Sequence, residues 1–238
     1  MLDVHPPHAP THTWRDFLLH IATICIGLLI AVGLEQSVEA LHRAHERQVL
    51  QTALNHESEQ ILRDTTNVEN GETLRLQWSR LYESQISDAA RDHRPLPPPP
   101  PITGKIAWDL PDNPIYASAK SSGKLDLLPD ADVVAYGEMS GVIENVLSHY
   151  ETYDKARIAL DTAFRRINYA KPTGTSPFDH ATPEDMKDLY DKLVDYEQAT
   201  RSLRFWSRQA RGAATMMLPG ERDLRKIESA ERQFDKLP

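Results

Sequence analysis

The sequence FLLHIATICIGLLIAVGL occupies residues 17–34 and contains no Asp, Glu, Lys or Arg. A helix of this length rises roughly 27 Å, which is enough to cross the hydrocarbon core of a bilayer. Trp14 and Arg15 precede the stretch and Glu35 and Gln36 follow it, so both edges carry residues suited to the membrane–water boundary. The stretch therefore predicts one transmembrane helix close to the N-terminus.

Two other interpretations of residues 17–34 compete with an anchor. The stretch could be a cleaved secretory signal, because Ala31, Val32 and Gly33 resemble a small-x-small cleavage site. The apolar run is long for a signal, however, and helix-compatible sequence continues straight past the cut. The stretch could also be a buried core helix. We favour the uncleaved anchor over both.

A row of small residues runs along this predicted helix. Thr23, Gly27 and Ala31 recur every four residues, so they share one face on which a second transmembrane helix could pack closely. Small residues are also common in membrane helices that face only lipid. The row is thus a candidate packing surface for a protein partner or for self-association, with lipid contact as the alternative.

Basic residues near the apolar stretch give a mixed signal for orientation. Arg15 lies on one side, and Arg43 and Arg47 lie on the other, which by count alone faintly favours a cytoplasmic C-terminal part. Glu35 and Glu39, however, precede the two distal arginines.

The segment HTWRDFLLHIATICIGLLIAVGLEQSVEALH resembles the N-terminal anchor of uncharacterised bacterial single-pass membrane proteins, in which an IGLLIA-type core runs directly into an acidic amphipathic helix. WDLPDNPIYASAKSSGKLDLLP, over residues 108–129, resembles more loosely a second block of such proteins. The resemblance implies a bacterial inner-membrane protein with a short cytoplasmic tail and a periplasmic helical domain. The tail departs from this pattern in having few basic residues.

The composition narrows the function classes. The chain has 35 acidic and 27 basic side chains, a net charge of −8, which argues against nonspecific binding of nucleic acid. Cys25 is the single cysteine and lies inside the apolar stretch, so one chain can build neither a disulfide framework nor a cysteine-based zinc site.

The remainder of the chain is predicted to be helical throughout. Apolar spacing is helical from residue 35 to 68, and Asn70 with Gly71 offers a turn before a second amphipathic stretch to about residue 91. A proline run at 97–101 predicts an extended spacer. The run could also dock on a partner protein, but we favour the role of a linker. Further helices are expected over 114–122, from 130 to about 169, from 183 to about 217, and over 221–236.

These elements predict an all-α protein: one transmembrane helix followed by an antiparallel helical bundle. The expected organisation is a tail (1–16), the membrane helix (17–34), a stalk with the first helical segments (35–92), a Pro-rich linker (93–112) and a bundle (113–238) that packs with 35–92.

Histidines are the weakest of the candidate sites. His5, His8 and His12 lie in the tail, and His42 and His45 lie one helical turn apart beside Glu46, a spacing that can share a metal ion. A solvated histidine pair needs no metal, and no HExxH motif is present. We therefore predict no cofactor and keep His42, His45 and Glu46 only as a weak metal candidate.

A row of arginines is the other candidate site. Arg201, Arg204, Arg208 and Arg211 follow spacings of three and four, which lines them along one helix face where they could hold an anionic ligand or a lipid headgroup. Exposed ion pairs with nearby aspartates are the simpler interpretation.

The sequence carries no GxSxG motif and no Walker-type loop. We therefore predict a membrane-anchored, noncatalytic helical domain that mediates protein–protein interaction as a scaffold, accessory subunit or sensory input. The alternatives are an anion- or lipid-binding module using the arginine row, and a metal-dependent hydrolase. Expected partners are the membrane and a protein or second copy bound through the anchor, and not nucleic acid.

Overall fold

The computed structural model describes residues 14–104, 110–169 and 176–218. All regular structure within these ranges is helical, which confirms the predicted all-α class. The tail histidines and the helix predicted over 221–236 lie outside the described residues. The helices are α1 (Trp14–Arg91), α2 (Pro114–Ser121), α3 (Asp130–Tyr169) and α4 (Pro183–Met217), with short 3₁₀ turns at Lys124–Leu127 and Pro177–His180.

The chain divides into two compact units, residues 1–50 and 51–238. The described part of the first unit is the N-terminal portion of α1. Of the described residues, only α1 includes an apolar stretch long enough to cross a membrane, judged by length and composition, and that stretch is wholly exposed. A helix on the surface of a soluble domain usually buries one apolar stripe. In this stretch even Leu28 and Leu29 are exposed.

The turn predicted at Asn70 and Gly71 is wrong, because α1 continues through both residues to Arg91. A glycine inside a helix costs about 1 kcal/mol relative to alanine. Val68 and Leu76, on either side, are almost fully buried, and burying such a side chain contributes roughly 1.5–3 kcal/mol. Tertiary packing of this face therefore outweighs the local preference for a turn.

The predicted boundaries of α3 and α4 are confirmed, and the start of α4 shows why. Thr182 and Asp185 form a capping box: the Asp185 amide donates to the Thr182 hydroxyl at 3.1 Å, and the Thr182 amide donates to the Asp185 carboxylate at 3.0 Å. These two bonds satisfy amides that the first turn of a helix otherwise leaves unpaired.

Helix α2 begins at Pro114 as predicted, but Asn113 makes no side-chain cap. The carboxylate of Glu57, on α1, takes that role by accepting hydrogen bonds from the amides of Ile115 and Tyr116. A carboxylate at a helix N-terminus also interacts favourably with the helix dipole. The short helix is thus fixed to α1 by a residue far away in sequence.

The proline-rich segment lies along α1. Trp78 donates its indole N–H to the carbonyl of Pro100 at 2.8 Å, and Tyr82 donates its hydroxyl to the carbonyl of Pro97 at 2.9 Å. Leu96 is buried in the core. Prolines lack an N–H, so only the carbonyls of residues 97–101 need partners, and α1 supplies donors to two of them.

Helices α3 and α4 complete the core of the second unit. The hydroxyls of Tyr153 and Tyr196 lie 3.2 Å apart, and both rings pack in one cluster with Leu189 and Leu193. Near the end of α3, Arg166 contacts Asp188 at 2.8 Å. The side chains that fill this core also include Tyr82, Ile86, Val146, Leu160 and Leu203.

We predict that Leu193→Ala lowers the free energy of unfolding by about 2–5 kcal/mol, because the side chain is fully buried and its loss leaves a cavity. Urea unfolding of the full-length protein in mild detergent, followed by tryptophan fluorescence, measures the change. Leu81→Ala removes a half-exposed side chain from α1 and serves as the control, with an expected loss of less than about 1 kcal/mol. Equal losses in the two variants would contradict the assigned core.

Candidate functional site

The small residues predicted for membrane-helix packing all lie exposed on α1 within the first unit. Thr23 donates its hydroxyl to the carbonyl of Leu19 one turn earlier, at 2.8 Å, which satisfies the side chain inside its own helix. A Cβ added to Gly27 would meet no atom of the described chain within 4 Å, apart from the adjacent backbone of its own helix. The chain itself therefore gives no packing reason for a glycine at this position.

The histidine pair lies exposed on α1. His42 contacts the carboxylate of Glu46 at 3.3 Å, an ordinary pairing across one helical turn. Among the described residues, no three histidine, cysteine or acidic side chains are grouped closely enough to hold a metal ion. His42, His45 and Glu46 lie together on one helix, with no further metal-binding side chain grouped with them in the described chain.

The arginine row of α4 faces carboxylates of α1. Arg208 donates to one oxygen of Glu69 at 2.8 Å, and Arg211 lies 3.0 Å from the other. Glu69 is buried, and both arginines are largely buried. Arg208 and Arg211 therefore clamp an interior carboxylate, whereas Arg201 is exposed and pairs with Glu197 of its own helix.

A second ionic group lies further along the same pair of helices. The buried carboxylate of Glu197 on α4 accepts hydrogen bonds from Arg80 of α1 and from Arg201, one turn along α4. Glu83 of α1 shares a hydrogen bond with Glu197. Burial and this neighbour raise the pKa of Glu83 to about 7. Burial acts to raise the pKa of Glu197 too, but hydrogen bonds from Glu83, Arg201 and Arg80 outweigh it and hold the pKa low.

Glu72 and Arg204 lie between these two groups in sequence. Glu72 is fully buried, and neither of its carboxyl oxygens has a hydrogen-bond partner among the described residues. Burial raises the pKa of Glu72 to about 8, although the charges of Arg75 and Arg204 oppose the shift. Burial also lowers the pKa of Arg204, whose Nε lacks a hydrogen-bond partner in the described chain. Glu72 is therefore a carboxyl group that the fold favours in its protonated form.

We call this set of side chains the ionic seam. It joins residues 69–83 of α1 to residues 197–211 of α4 through four carboxyl groups and five guanidinium groups. Its members are Glu69, Glu72, Glu83 and Arg80 with Glu197, Arg201, Arg204, Arg208 and Arg211.

The acidic half of the seam was missed by sequence reasoning. A usable signal existed: Val68, Glu72, Leu76 and Ser79 continue the three-and-four spacing of the apolar face, and all four are buried. An ionisable residue at an apolar-face position implies either a buried partner of opposite charge or a neutral, protonated form. The arginine row was the visible half of that pairing.

The chain matches no family model, no curated protein and no solved structure. The seam must therefore be interpreted from its own chemistry. Its ion pairs cross a helix interface and bind α4 to α1. Burial in the same interface lets Glu72 and Glu83 take up protons near neutral pH.

We predict that Glu72→Gln stabilises the protein at alkaline pH. Because the pKa of Glu72 is raised in the fold from 4.5 to about 8, the wild-type protein loses stability as pH rises between these values. The glutamine variant cannot ionise and should lose less stability. The unfolding temperature should change less between pH 6 and pH 9 in the variant than in the wild-type protein. Some change remains in the variant, because Glu83 also binds a proton in this range.

Glu144→Gln on the exposed surface of α3 is the matched control and should leave the pH dependence unchanged. If Glu72→Gln instead destabilised the protein equally at both pH values, Glu72 would be a charged partner of Arg75 and Arg204, and its assignment as a protonated group would be wrong.

Proposed function

We propose that this protein is a membrane-anchored, noncatalytic helical domain that mediates protein–protein interaction, as a scaffold, accessory subunit or sensory input. The observation that carries the proposal is the wholly exposed apolar stretch of α1 in the first unit. Such a surface is unfavourable in water and favourable in a bilayer. A protein held in this way acts where its membrane is, which suits a tether or subunit.

The second unit supports a bundle in which α4 runs antiparallel to its neighbours. Residue numbers along α4 decrease as those along α1 increase: Arg208 pairs with Glu69, and Glu197 pairs with Arg80, so the two helices are antiparallel. Residue numbers along α1 and α3 increase together, since Gln51 contacts Asp132 and the ring of Tyr82 stacks on that of Phe164. These two helices are therefore parallel. A bundle of this kind presents helix faces to a partner.

The contacts of the arginine row weigh against anion binding. An anion-binding row needs guanidinium groups free to reach a ligand, whereas Arg208 and Arg211 are already held by Glu69 and Arg201 by Glu197. Competing ligands would have to displace interior ion pairs, which leaves a carboxylate buried without a partner. The anionic-ligand hypothesis is therefore the weaker of the two.

The resemblance of residues 12–42 to bacterial anchors supports a further part of the proposal: the bacterial inner membrane, with the helical domain in the periplasm. A membrane-impermeant maleimide added to intact spheroplasts tests the side. Ser121→Cys, on the exposed end of α2, should react before lysis if the domain is periplasmic. Reaction only after lysis would place the domain in the cytoplasm.

The interaction itself is tested by pull-down from native membranes in mild detergent. The full-length tagged protein is compared with a variant lacking residues 1–34, and chains that co-purify are identified by mass spectrometry. We expect the full-length protein in the membrane fraction with a stoichiometric partner or a second copy, and the shortened variant in the soluble fraction without it.

Recovery of the full-length protein in the soluble fraction, after membranes are pelleted without detergent, would contradict the anchor. A membrane-bound protein that carries no other chain and is monomeric would contradict the interaction role and turn attention to ligand binding.

A further inference from the structure

A row of large aliphatic side chains lies exposed on α1 just after the apolar stretch. Leu34, Val38 and Leu41 are 63%, 67% and 72% exposed, although all three are large apolar residues. Their spacings of four and three residues place them on one helix face and match the d, a and d positions of a heptad repeat. We call these three residues the juxtamembrane stripe.

Gly27 and Ala31 fall at the preceding d and a positions of the same heptad register. Both are small, so a neighbouring backbone can come close to the helix at these positions. His45 occupies the a position after Leu41 and ends the apolar row. The apolar face thus runs unbroken from Gly27 to Leu41 along one helix.

Most charges of this part of α1 lie outside the juxtamembrane stripe. Glu39 and Arg43 pair with each other one turn apart and occupy the outer b and f positions of the heptad. Glu46 and Arg47 occupy the outer b and c positions. The positions that flank the stripe toward a partner are Glu35 and His42 at e, and Ser37 and Ala44 at g. In a parallel pair each e position faces a g position of the other helix, so Glu35 faces the uncharged Ile30. An identical helix could therefore approach the stripe without bringing like charges together.

We propose that α1 pairs in parallel with α1 of a second copy of this chain, in a two-stranded coil that buries Leu34, Val38 and Leu41 of both copies. The inference rests on the proposed membrane anchor, since two copies inserted in the same direction must meet in parallel. Valine at the a position with leucine at d favours two strands over three or four. A shared membrane also raises the effective concentration of the two helices.

A second copy explains the stripe better than lipid does. Val38 and Leu41 follow Glu35 and lie beside Glu39 and Arg43, so this part of the helix carries charges that hydrocarbon would exclude. A symmetric pair needs one surface that is complementary to itself, and an apolar row backed by an oppositely placed charged face meets that requirement.

Disulfide cross-linking between single cysteines tests the pairing in native membranes. The background is Cys25→Ser, and two differently tagged full-length copies are expressed together so that a cross-link between tags identifies a second copy. Stripe variants Leu34→Cys, Val38→Cys and Leu41→Cys are compared with outer-face controls Gln36→Cys, Glu39→Cys and Arg43→Cys. A disulfide forms only where the two Cα atoms come within about 7 Å.

We expect the stripe variants to give several-fold more cross-linked dimer than the outer-face controls. The yield should be high at the a and d positions of the heptad and low at the outer positions. Adding Val38→Glu to the Leu34→Cys chain should remove most of its dimer, because two buried carboxylates would face each other. Adding Arg43→Glu should leave it nearly unchanged. This second pair of variants guards against a cysteine that simply packs poorly.

Fractionation of the same samples into membrane and soluble parts distinguishes failure of the pairing from failure of the anchor. Membrane-bound chains whose cross-linking is absent, uniform, or strongest at Glu39→Cys and Arg43→Cys would overturn the pairing and leave the anchor intact. Chains recovered in the soluble fraction would overturn the anchor and the pairing together.

Discussion

The buried face of α1 between residues 54 and 89 is the surface on which the rest of the second unit depends. Leu54, Ile61, Tyr82 and Ile86 are almost wholly buried along it. The same stretch of helix also supplies polar groups that place other elements: Glu57 caps α2, and Trp78 and Tyr82 hold the proline-rich segment. Loss of this face would remove the common partner of several elements at once, so we expect the unit to unfold cooperatively.

The ionic seam adds specificity to this hydrophobic framework. Apolar contacts alone would tolerate several registers of α4 against α1, whereas a carboxylate clamped by two arginines tolerates one. The arrangement has a cost, because Glu72 and Glu83 are held where burial opposes ionisation. The protein therefore carries two proton-binding groups in a helix interface, and its stability is linked to pH through them.

Much of the fold follows from short-range signals in the sequence. Proline at the first turn with a capping box defines the start of α4, and the apolar periodicity of α3 defines its length, so both were predictable. Gly71 misled because its local preference for a turn is worth less than the burial of Val68 and Leu76 on either side. The capping of α2 by Glu57 joins residues far apart in sequence, which no local pattern reveals.

The candidate site was only half predictable for a related reason. Four arginines at helical spacing are conspicuous in the sequence, but their partners Glu69 and Glu197 are single acidic residues among many. Whether such a row faces solvent or another helix depends on tertiary packing, which spacing alone does not fix. The proline-rich segment shows the same limit, since its contacts with Trp78 and Tyr82 depend on where the chain turns back.

The central claim is that the apolar stretch of α1 lies within a bilayer, and Cys25 tests it most directly because it is the only cysteine and lies in that stretch. Maleimide labelling needs a thiol that water can reach, and the hydrocarbon core of a bilayer excludes water. A permeant maleimide should therefore leave Cys25 unmodified in native membranes and modify it once the membranes are dissolved in denaturing detergent. Rapid modification of Cys25 in intact membranes would contradict the account.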